Sequence, residues 1–203
     1  MPQLQTSFST IFRLFSAMSP LFLTFLLLMV SLFNQDLKGL VFLVGVSFAM
    51  IINVFLMPLF NSRRQVEVET MTCDLFSFNT ESYNSPAPTS LFMAFTLIYL
   101  FLPMLNNNLI NYPVIISLLG LFVIDAATKM DNNCTDFSGI IFGAIFGSFF
   151  GGLYYAIIHA AGGDSLLYFD ELMSNRVLCS KPSKQTFKCS VYKGGKIIST
   201  NIA

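Results

Sequence analysis

The stretch Asp136 to Ala161, DFSGIIFGAIFGSFFGGLYYAIIHAA, limits what this chain can fold into more than any other. From Phe137 to Ala161 it carries no Asp, Glu, Lys or Arg. A run of about 25 such residues crosses a hydrocarbon layer roughly 30 Å thick, so it reads as a transmembrane helix. Gly139, Gly143, Gly147 and Gly151 recur every fourth residue. They therefore share one helical face and leave a groove in which another helix can approach closely. Ile140, Phe142, Ile145, Phe149 and Tyr155 face lipid or other helices. The groove is read as a packing device, and the segment as the central packing helix of a bundle.

The whole chain repeats this character. Of its 203 residues 54% are hydrophobic and 11% charged, with mean hydropathy +0.67, which excludes an ordinary soluble domain. Apolar runs separated by polar turns predict an all-α polytopic membrane protein of about five transmembrane helices, near 16–33, 40–60, 89–105, 112–127 and 137–161. Residues 1–10 lack the basic region and cleavage site of a signal peptide and are expected to be retained, and residues 1–15 are expected to form an interfacial N-terminal segment with Arg13 reaching for headgroups. Pro20 suits the first turn of the first span. Asn53 interrupts the second, where an amide most simply bonds to a neighbouring helix and, alternatively, marks an ion or substrate path. Asp125 is expected at the membrane interface, exposed or paired with Lys129 one turn on. With no Trp in the chain, anchoring at the membrane surfaces is expected to fall to Tyr83, Tyr99, Tyr112, Tyr154 and Tyr155.

Residues 61–88 form a long polar connection, and five spans place it on the same face as the turn before Asp136. Cys73 and Cys134 share that face and either form a disulfide across it or remain thiols. Asn133-Cys134-Thr135 also fits the N-glycosylation pattern. Residues 162–203 read as a small β-rich extramembrane tail. Gly162 and Gly163 stop the helix, 165–173 forms a surface helix, and VLCS, TFKCSVY and KIIST form three short strands with a turn at Gly194 and Gly195. Its lysines place it in the cytoplasm by the positive-inside tendency, although Arg63 and Arg64 favour the opposite orientation. A cytoplasmic tail keeps Cys179 and Cys189 reduced.

His159 is the only histidine and reads as a packed or interface residue. With the cysteines at none of the usual zinc spacings, no metal or cofactor is expected. There is no phosphate-binding glycine loop, dinucleotide fingerprint or serine-hydrolase elbow. Balanced charge, with 11 basic and 11 acidic residues, points to no nucleic-acid partner.

One arrangement goes further. A basic pair ends a span (Arg63, Arg64), Ser85-Pro86-Ala87-Pro88-Thr89-Ser90 opens the next, and a polar turn with Asp136 opens the glycine helix. This order resembles the membrane-embedded type 2 phosphatidic acid phosphatase family, whose motifs are K-x6-R-P, P-S-G-H and S-R-x5-H-x3-D. The resemblance places Arg64, Pro86, Thr89, Asn132 and Asp136 at family positions, with Met57 replacing a lysine and Ala126 an arginine. Thr89 and Asn132 stand where histidines would be, and neither can do the proton-transfer work of an imidazole. The resemblance therefore implies a relative that keeps the helix bundle without the chemistry. The character of the chain, rich in Asn and Phe with short loops, a small basic tail and lost catalytic groups, suits a non-catalytic scaffold in a membrane assembly, a viral internal membrane being one setting. It would contact membrane lipid, and it would meet membrane or coat proteins through the 61–88 loop and the tail. The alternatives are a lipid phosphatase or lipid-binding protein of that family, and a small transporter or channel.

Overall fold

The computed structural model describes residues 8–60, 83, 85–169, 188–193 and 196–202. Among these residues five α-helices belong to the first unit: α1 (Phe8–Asn34), α2 (Lys38–Phe60), α3 (Pro88–Asn106), α4 (Tyr112–Asp131) and α5 (Phe137–Ala160). All five are long and apolar enough to cross a membrane. α1 continues unbroken through Pro20, so residues 8–15 of the expected interfacial segment and the first span are one helix.

Each tight turn is closed by local polar chemistry. Between α1 and α2, Gln35 takes a positive φ of 55°, and Asp36 Oδ1 accepts from the backbone N–H of Lys38 at 3.2 Å. Asn108 (φ 52°) and Asn133 (φ 53°) take the left-handed conformation after α3 and α4, which asparagine tolerates better than most residues. Asn111 then accepts from Val114 N–H at the start of α4, where proline occupies an early helical position. The α5 terminus closes through Gly162 at φ 72° and a bond from Gly163 N–H to Ile158 O of 2.9 Å.

The helix at the centre is α3, not the glycine helix. In its best membrane-length window 72% of α3 is buried, against 22% for α5 and 17% for α4. α5 buries little beyond its small-residue stripe, with Gly139, Ile140, Gly143, Gly147 and Gly151 inside. That stripe lies against the α3 backbone. A Cβ at Gly143 would stand 2.7 Å from Ala87 O, one at Gly147 would stand 2.9 Å from Leu91 Cα, and one at Gly151 would stand 2.7 Å from Phe95 O. Four-residue spacing on α5 thus meets four-residue spacing on α3, and the 3.6-residue repeat keeps both rows in register. Gly139 adds a backbone bond, its carbonyl accepting from Ala87 N–H at 3.0 Å.

On its other sides α3 carries the aromatic core. Phe95 stacks on Tyr99 at 5.9 Å, and Phe42 and Tyr154 close around them with centroid distances of 5.7–6.3 Å. Tyr99 is fully buried, so it does not anchor the membrane surface as the sequence suggested. Tyr154 reaches across to donate to Val41 O at 2.8 Å, beside Gly45, where a Cβ would collide with its ring. Tyr112, at the start of α4, is 66% exposed and does stand where an anchoring tyrosine would.

After α5 the chain turns back onto the bundle. Asp164–Leu166 form one turn of 3-10 helix in place of the longer surface helix expected over 165–173, of which residues 170–173 lie outside the described residues. Leu167 and Tyr168 are buried. Tyr168 donates to Leu27 O at 2.8 Å, and Asn107 donates to Phe169 O at 2.9 Å. The first unit therefore extends to Glu171. The second, Leu172–Ala203, contains β1 (Lys188–Lys193) and β2 (Lys196–Ile202), paired antiparallel from Lys188 with Ile202 to Lys193 with Lys196. The third expected strand, VLCS, and the Gly194-Gly195 turn lie outside the described residues.

Candidate functional site

A cluster of buried polar groups lies where α3 begins, near the start of α1 and the end of α4. Pro88 and Thr89 form the first turn of α3. The preceding Ser85-Pro86 bond is cis, and residues 85–90 are all buried. Asn53 on α2 donates its side-chain amide to Pro86 O at 3.4 Å, in the segment just before α3 and not within a neighbouring helix. The Asn53 carbonyl oxygen and the hydroxyls of Ser85 and Ser90 are buried without a hydrogen-bond partner.

Asp125 is the electrostatic focus. It lies about 9 Å along the axis from the end of α4, at about 1.5 Å per residue. It is 1% exposed, which overturns the exposed alternative. Ser16 Oγ donates to its Oδ1 at 2.8 Å, and Thr89 Oγ1 donates to its Oδ2 at 2.8 Å. Lys129, 4% exposed and one turn along the same helix, has its ammonium 3.9 Å from Oδ2 and also donates to Thr89 Oγ1. Thr89 thereby accepts from the lysine and donates to the aspartate. Asp125 further stands at the N-terminal end of α3, where the helix dipole favours negative charge. Three helices are joined through one carboxylate that has its charge and hydrogen-bonding needs met in a low-dielectric interior.

Among the described residues, the phosphatase-like positions do not converge around this carboxylate. Thr89 is in the cluster, and Pro86 is buried one turn before it. Asn132 instead caps its own helix, its side-chain amide donating to Thr128 O at 2.6 Å. Asp136 is exposed at the start of α5 and makes no side-chain cap bond there. Arg64 lies outside the described residues. The sequence reading missed Ser16, whose only signal was a hydroxyl in an apolar run at membrane depth. It also missed that Thr89 would meet Asp125 and Lys129.

Cys134 is buried and disulfide-bonded, while its expected partner Cys73 lies outside the described residues. His159 is half-exposed at the opposite end of the bundle, stacked on Tyr155 and 2.6 Å from Asp164. No group of three or more metal-ligating side chains occurs among the described residues.

A cavity of about 460 Å³ lies between α1, α2 and α3. Pro20, Val46, Met50, Val54, Thr89 and Phe92 are among the residues that line it. A smaller cleft of about 310 Å³ separates α1 from α4, between Phe22 and Leu118.

These spans define a multi-pass membrane protein. Comparison of the chain with protein-family models, curated proteins and solved structures returns no match.

Proposed function

We propose that this chain is a non-catalytic integral membrane scaffold, its bundle serving as a fixed platform and its 61–88 connection and β-rich extramembrane tail serving as contacts for partner proteins. One observation carries the reading. The Ser16, Thr89, Asp125 and Lys129 side chains at the start of α3 satisfy one another, and two of the described phosphatase-like positions are engaged separately, Thr89 with Asp125 and Lys129, Asn132 with its own helix. A phosphoryl-transfer site needs groups converging on one point with an imidazole or equivalent among them. In this proposal the tail faces the cytoplasm, the glycine row holds the platform rigid, and a virion's internal membrane remains one setting for it. The suspected kinship with the phosphatidic acid phosphatases would then be one of architecture.

Purified protein in vesicles containing phosphatidate is expected to release no phosphate. Release that is abolished by Thr89→Ala would replace the scaffold with the lipid phosphatase alternative. Mild extraction from the native membrane is expected to yield particles larger than the 22.6 kDa chain and containing other proteins. Recovery of the chain alone would count against a scaffold.

One observation favours the transporter alternative, the Asp125–Lys129 pair at membrane depth, since intramembrane charges often mark ion paths. The glycine groove itself is filled by the α3 backbone and lines no channel. Ion flux into vesicles that disappears in Asp125→Asn would establish transport, and impermeability of both proteins would remove it.

A further inference from the structure

We infer that the cavity between α1, α2 and α3 is a binding site for a single hydrocarbon chain of a bilayer lipid, independently of the scaffold reading. The cavity follows from how α1 and α2 meet. At the turn that joins them they touch closely, a Cβ on Gly39 standing 2.8 Å from Ser31 Cβ and 3.2 Å from Leu28 Cα. Beyond Thr24 the cleft between them is open, with Pro20 and Thr24 on one wall and Leu43 to Phe55 on the other. Pro88, Thr89 and Phe92 of α3 form the floor.

Water is a poor occupant. The Thr24 hydroxyl already donates to Pro20 O at 2.8 Å, and Thr89 is held by Asp125 and Lys129. A water molecule needs two to four polar partners, and an apolar cavity of about 150 Å³ already stays dry and takes up hydrocarbon. This one is about three times larger. Hydrocarbon is at hand, because Ile51 and Phe55 on the rim are 57% and 70% exposed along a membrane span. The dimensions select a chain rather than a ring. From Leu43 to Phe55 the α2 wall is about 18 Å long at about 1.5 Å per residue. One leaflet of a roughly 30 Å hydrocarbon layer is about 15 Å deep, so an extended acyl chain matches the cleft in length.

Photolabelling tests this with the full chain in phosphatidylcholine vesicles doped with a phosphatidylcholine carrying a mid-chain diazirine. Label is expected to concentrate on the peptides containing Met50, Val54 and Phe92. Val54→Trp fills the cleft and is expected to lower that label about tenfold, equivalent to about 1.4 kcal/mol of lost seating. Ser47→Phe, at an exposed position on the cavity wall, should act in the same direction if the tryptophan variant proves unstable. Val44→Trp, 57% exposed and away from the cavity, should leave the label unchanged. Even labelling of all lipid-facing helices, label indifferent to both filling variants in folded protein, or a cross-link from this cleft to another protein chain would each overturn the assignment.

Discussion

At the scale of single residues, Asp125 dominates. Removing one partner of a buried ion pair costs about 3–5 kcal/mol, because the remaining charge loses its compensation, whereas an interhelical hydroxyl bond in a membrane protein contributes only about 0.6 kcal/mol. Asp125→Ala is therefore expected to lower the thermal unfolding temperature in detergent strongly, and Ser16→Ala only slightly. Replacing the pair together, Asp125→Leu with Lys129→Met, should recover much of the loss, and a double-mutant cycle reads the coupling directly. Tyr168 offers a second test. Burial first, and the nearby Asp36 carboxylate second, push its phenol from 10.0 up to about 12. The neutral phenol is the form that donates to Leu27 O. A raised folded pKa gives stability that is fully present below pH 10 and lost as pH rises through about 12. The alkaline loss of stability should be smaller in Tyr168→Phe, as followed by thermal unfolding at stepped pH. Sequence pattern reached only part of this. Lys129 four residues after Asp125 was visible as a pair, but the bonds from Ser16 and Thr89 depend on how three helices assemble.

At the scale of elements, the contact between α3 and α5 makes the sharpest claim. Gly147→Ala places a methyl group against the Leu91 backbone, which cannot rotate aside as a side chain can. Overpacking of this kind costs about 1–3 kcal/mol. Gly120→Ala, with nothing within 4 Å of the added Cβ, is expected to be neutral or slightly stabilising in the same unfolding assay. Equal effects of the two substitutions would show that the row does not carry this contact. The glycine row was legible in the sequence because its period matches a helix face. The helix it serves was not. α3 and α4 are alike in hydropathy yet are the most and least buried of the five. Apolar content measures transfer into hydrocarbon, and a protein core and a lipid tail are nearly the same solvent for it. The signal that α3 lies inside was its small polar set, Thr89, Ser90 and Thr96, all buried.

For the whole molecule, the number of spans and most of their ends could be read directly, since length and polarity change abruptly at Asn34, Asn106 and Asn132. Residues 167–169 were the exception. Their return to the bundle rests on single bonds to Leu27 and Asn107 that no pattern encodes. Five spans predict that cysteines introduced at Asn108 and Asn133 react with an impermeant maleimide from opposite sides of a sealed vesicle. Labelling from one side would mean that a helix does not cross. On the Asn133 side, Cys134 is expected to pair with Cys73, giving a Cys73–Cys134 cross-linked peptide in mass spectrometry without reduction and none after it.

The sheltered place of α3 also has a consequence for how the protein is made. The third span is synthesised before the fifth, yet its carbonyls at Ala87, Leu91 and Phe95 form the surface that the fifth will cover. The Ala87 N–H likewise waits for Gly139. A nascent chain halted after Asp131 would hold its innermost helix with one flank bare to lipid, a natural point of recognition for membrane chaperones or quality-control proteases. The shelter of α3 is thus completed only when α5 closes over it.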